Sequence, residues 1–106
     1  MEKIYQGSND PLILTIDDDL TKYEQISAVL VKNHQALKEW DMSNITIDGQ
    51  DLILPLEESD TISMPFGIAK LDAKAYRVDG SIAFFVLIDY LVIPRENKHR
   101  FVGGEI

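Results

Sequence analysis

Residues 67–93 read GIAKLDAKAYRVDGSIAFFVLIDYLVI, two long runs of strand-forming residues joined across Asp79-Gly80. Asp-Gly suits a tight hairpin turn whose two central residues both take positive φ, because Gly reaches that region freely and Asp tolerates it better than most residues. The same pair recurs at Asp48-Gly49, with Ile45 and Ile47 before it and Leu52, Leu54 and Leu56 after it at strict period two. Period-two alternation is the mark of a strand. Segments 67–78 and 81–93 are therefore expected to pair as the spine of an antiparallel sheet. Alternation in the last run puts Phe84, Val86, Ile88, Tyr90 and Val92 on one face and Phe85, Leu87, Asp89, Leu91 and Ile93 on the other. Both faces are largely apolar, whereas a half-exposed antiparallel strand alternates apolar with polar. The second face either packs under another layer or meets another chain.

Outward from this spine, strands are expected over 4–6, 12–16, 25–32 and 36–40, with a loop over 7–11 where Pro11 suits an edge or a crossover. Asn33-His34-Gln35 reads as a turn, and 57–64 is polar and turn-rich, with Ser59 or Asp60 able to cap a single helical turn. No stretch carries a helical stripe long enough for a full helix. Seven or eight strands with turns every 8 to 12 residues predict an all-β fold, a single antiparallel β-sandwich of immunoglobulin-like type. The expected organisation is one sandwich domain over 1–94 and a polar C-terminal tail over 95–106.

A chain of 106 residues, 45% of them hydrophobic, holds one core. Its net charge of −8, with ten acidic against four basic residues in 1–53, argues against nucleic acid and anionic membranes as partners. With no cysteine there is no disulfide, thiolate nucleophile or Cys-ligated metal. The N-terminus lacks a signal-peptide pattern and the longest apolar run, 82–88, is too short to span a bilayer, so synthesis in a bacterial cytoplasm is expected.

Asp17-Asp18-Asp19 offers oxygen ligands of the kind Ca²⁺ prefers, but three consecutive residues cannot all aim at one ion and the spacing of an EF-hand loop is missing. A solvated turn is the expectation. Glu57-Glu58 with Asp60 has nothing around it that predicts burial for acid–base work, and His34 and His99 lack metal-ligand spacing. The serines sit in no nucleophile elbow. Catalytic residues, cofactor and metal are all expected to be none, and the chain is expected not to be an enzyme. Trp40 fills the core or anchors an interface, with core the stronger reading, and Phe85, Leu87, Leu91, Ile93 and Trp40 are the interface candidates. Asp89, if buried, needs Lys70, Lys74 or Arg77 as a partner.

The opening Ile4-Tyr5-Gln6-Gly7-Ser8-Asn9-Asp10-Pro11-Leu12, the Ile45-Thr46-Ile47-Asp48-Gly49 hairpin, the Leu54-Pro55-Leu56 step and the late Val78-Asp79-Gly80 hairpin follow one another in order. That order resembles small tail-associated proteins of phages and prophages from Gram-positive bacteria, in particular the immunoglobulin-like N-terminal domain of baseplate upper proteins. The resemblance covers about residues 4–93. It implies a non-enzymatic assembly module of a tail or baseplate, virion-associated, with other phage structural proteins or a second copy of itself as partner. Because the chain ends soon after the sandwich, an accessory adaptor is expected. The competing expectation is an acidic inhibitor or nucleic-acid mimic that occupies a basic groove.

Overall fold

The structure is a computed structural model and describes residues 1–20 and 23–95, without the side chains of Phe84 and Phe85. Its eight strands are β1 (Glu2–Tyr5), β2 (Leu12–Thr15), β3 (Gln25–Lys32), β4 (Gln35–Trp40), β5 (Thr46–Asp48), β6 (Asp51–Leu54), β7 (Gly67–Tyr76) and β8 (Ile82–Ile93), with one short helix, α1 (Glu58–Ile62). They form two sheets, β1-β8-β7-β3-β4 and β2-β6-β5. All pairings are antiparallel except β1 with β8, which run parallel with Ile4 opposite Val92. A three-stranded sheet facing a larger one, with the first strand parallel to the last, is the immunoglobulin-like sandwich that the alternation predicts. Pro11 lies in the segment that carries the chain from one sheet to the other, and the expected spine is real: every residue of β7 pairs with β8.

The hairpins stand where they are expected, but their turns differ in type. Asp48 and Asp51 form the last pair of β5 and β6, so the two-residue turn is Gly49-Gln50. Gly49 has φ +62 and Gln50 is not among the positive-φ residues, the pattern of a turn with glycine at its first central position. At the second hairpin Gly80 N–H donates to Arg77 C=O (2.9 Å) and Arg77 N–H to Ser81 C=O (2.8 Å), a three-residue loop over Val78-Asp79-Gly80. Gly80, at φ +87, supplies the left-handed residue that closes such a loop. The turn with positive φ at both central residues is instead Asn33-His34, at 53° and 64°, between β3 and β4.

A Cβ added at Gly49 or Gly80 would meet nothing within 4 Å, so substitution there acts through backbone strain alone. Gly49→Ala and Gly80→Ala should each lower stability by about 1–2 kcal/mol, with Gly49→Asn losing less. Urea denaturation of the three variants checks this, and unchanged midpoints for the alanines would show that these turns tolerate a side chain.

Between the sheets, Ile26, Leu30, Leu71 and Val92 of the larger sheet face Leu12, Leu14, Leu52 and Leu54 of the smaller one, all buried. The inner face of β7 is Ala69, Leu71, Ala73 and Ala75. The cap of α1 is Glu57, two to three residues earlier than expected: Asp60 accepts the Glu57 N–H at 2.8 Å from inside the first turn. Asp60 also meets Lys38 Nζ at 3.2 Å, tying the helix to β4. The single helical turn expected within 57–64 is therefore present, and at five residues it is held by its cap and by tertiary contact.

Candidate functional site

The outer face of the five-stranded sheet is where the strand pattern breaks the usual rule for surfaces. Register places Leu87, Asp72, Val29 and Glu39 in one row across β8, β7, β3 and β4. The next row runs Asp89, Lys70, Val31, and beyond it Leu91 lies opposite Ile68. Leu87 is 71% exposed and Ile68 48%, with Leu91, Ile93, Val29 and Val31 half-buried around them. A groove of about 530 Å³ opens here, lined by Val31, Lys32, His34, Ile68, Asp72 and Leu87 among others. A second groove of about 500 Å³ on the far side of Asp72 is bordered by Ser27, Val29, Glu39, Asp41 and Lys74.

Of the residues singled out from sequence, Leu87, Leu91 and Ile93 share this outer face. Phe85 is paired with Lys74 by register, but its side chain lies outside the described residues. Trp40 is corrected as an interface residue. It is 2% exposed, and its indole N–H donates to Pro55 C=O at 2.8 Å, so it is a core residue that bridges the sheets. Asp89 faces solvent and pairs with Lys70 at 3.7 Å across the β7–β8 register. That contact is exposed on both sides and contributes little. Ile68 was missed. The signal for it was available in 67–76, where Ala69, Leu71, Ala73 and Ala75 claim one face and leave Ile68 among Lys70, Asp72 and Lys74 on the other.

The polar groups expected to be inert are held in local structure. Asp18 accepts the Tyr23 hydroxyl and the Asp19 N–H, the latter at 2.8 Å. Asp41 and Asp79 each accept from a serine two residues on, which holds both carboxyls below their ordinary pKa. Burial, then the nearby Glu2 carboxylate, raises the Tyr90 phenol. His34 is exposed in its turn, whereas His99 and the expected tail beyond Arg95 lie outside the described residues. Among the described residues no group of three or more His, Cys, Asp or Glu could hold a metal ion. Nor is any helix among them long and apolar enough to cross a membrane.

No protein-family model matches the chain, and no curated protein matches it. Among solved structures it is similar to CopC from Methylosinus trichosporium OB3b, with a TM-score of 0.61 and 15% identity over 91% of this chain and 86% of that one. The likeness shows the fold, a β-sandwich. It also corrects the functional expectation: CopC is not a phage protein, and the tail, baseplate and inhibitor readings find no support. The short motifs behind that expectation are turn and strand-edge chemistry that this sandwich requires whatever it does.

Proposed function

We propose that this chain is a non-catalytic β-sandwich that binds a protein partner through the outer face of its five-stranded sheet. The observation that carries the reading is the exposure of Leu87 and Ile68 on neighbouring strands, beside the half-buried Val29, Val31 and Leu91. Single exposed apolar residues are ordinary, whereas several gathered around one groove of a rigid sheet, here on either side of the Lys70–Asp89 pair, mark a contact surface. The grooves on this face are not enclosed, a shape that admits a protein surface.

A photoreactive amino acid at position 87, introduced in the natural host, tests this reading. Ile13 is 56% exposed on the opposite sheet and is the control position. Protein adducts should form at 87 and be absent or far weaker at 13. No adduct at 87, or equal labelling at both positions, would overturn the proposal.

A further inference from the structure

The distribution of charge says what sits on this face. Residues 6–20 and 41–66, which include the whole three-stranded sheet and its connections, hold ten acidic residues and no lysine or arginine. Two copies meeting on that side would repel. The outer face of the five-stranded sheet is different: with its two grooves it carries Lys3, Lys32, Lys70 and Lys74 against Glu39, Asp41, Asp72 and Asp89, and is neutral. In a chain of net charge −8 this is the apolar surface on which another such chain can dock with least repulsion.

The pattern along β7 is also self-complementary. Lys70, Asp72 and Lys74 alternate in sign on the outward side of one strand. An isologous contact needs each group to meet its opposite in the other copy. A two-fold axis passing between positions 70 and 72 does this, bringing Lys70 of one copy against Asp72 of the other, twice. The same axis lays the Leu87-Asp72-Val29 row of one copy over the Asp89-Lys70-Val31 row of the other, so that Val29 meets Val31 and each Leu87 packs half a row from the axis, over Asp89. Four strands about 4.8 Å apart and ten residues at about 3.3 Å rise present on the order of 600 Å². That approaches the ~800 Å² per partner of a standard stable interface.

We infer that the partner on this face is a second copy of the chain, packed sheet to sheet as a two-fold dimer. This rests on the reading of the face as a binding surface and goes beyond it in naming the occupant. Sedimentation equilibrium of the full chain, from low micromolar to near-millimolar concentration, should show a monomer–dimer equilibrium. Leu87→Lys should raise the dissociation constant at least tenfold while the circular dichroism melt, taken at a concentration where the wild type is monomeric, stays unchanged, because Leu87 is exposed.

The sharper test uses charge. Lys70→Asp and Asp72→Lys should each lose self-association, since each sets like charges against one another twice. An equimolar mixture of the two should associate again, as a heterodimer in which both contacts are restored. A monomer at every concentration, or a mixture that stays monomeric, would overturn the two-fold dimer. The crosslinking at position 87 separates the failures: an adduct with a different protein keeps the binding face and removes the second copy, and no adduct removes both.

Discussion

Trp40→Ala should lower stability by about 3–5 kcal/mol, the range for removing a large buried aromatic side chain. Small domains are stable by only about 5–15 kcal/mol, so the variant should be partly unfolded at modest urea concentrations. The expectation follows from position. Trp40 ends β4 on the inner side, opposite Ala28, and its ring is enclosed while its N–H reaches the Pro55 carbonyl on the chain leaving β6. It therefore holds the edge of one sheet to the other. Trp40→Phe separates the two contributions, because it keeps most of the apolar contact but leaves the Pro55 carbonyl without that donor. Losing one such part-buried hydrogen bond costs about 0.5–1.5 kcal/mol. Urea midpoints for the two variants, followed by circular dichroism since the only tryptophan is lost, check the order. A Trp40→Ala midpoint equal to the wild type would mean the side chain contributes nothing between the sheets.

Leu71→Ala should cost about 2–5 kcal/mol, whereas Leu87→Ala should change stability by no more than about 0.5 kcal/mol. The residues are alike and lie on paired strands. Leu71 is fully buried and faces the smaller sheet, and Leu87, opposite Asp72, points the other way into solvent. The contrast measures which face of the spine is core. Equal losses would show that the outer face is covered within the monomer, and would remove the basis of the binding proposal. Chemical denaturation at low protein concentration is the appropriate measurement, because self-association would otherwise add to the apparent stability of the wild type.

The strands were readable in the sequence because alternation and turn residues are local properties. β3 occupies the predicted 25–32, and β7 and β8 differ from expectation only in the residues given up to their loop. The turn types were not readable from Asp-Gly alone. Whether Asp48 is a turn residue or the last paired one depends on register, and here it pairs with Asp51, shifting the turn to Gly49-Gln50. The facing of β8 was ambiguous for a related reason. Its own two faces are both apolar, so the choice between them is made by β7, whose small and apolar face turns inward and takes Tyr90 and Val92 with it. Trp40 carried no local sign of its environment, because an aromatic residue at a strand end serves core and interface equally well. The outer face needed the pairing of β3, β7 and β8 before Val31, Ile68 and Leu87 came together.

The parallel pairing of β1 with β8 joins residues about 90 positions apart, Ile4 beside Val92. Sheets dominated by such distant contacts fold slowly, in milliseconds to seconds, because loop closure must precede the contacts that reward it. During synthesis the first strand emerges with no mate and must wait until nearly the whole sandwich has been translated. Until then the edge of β8 does not exist to receive it, and Ile4 stays in water. Closing that edge is therefore a late event in the life of the nascent chain, and a ribosome stalled before residue 90 would display a sandwich still lacking its final seam.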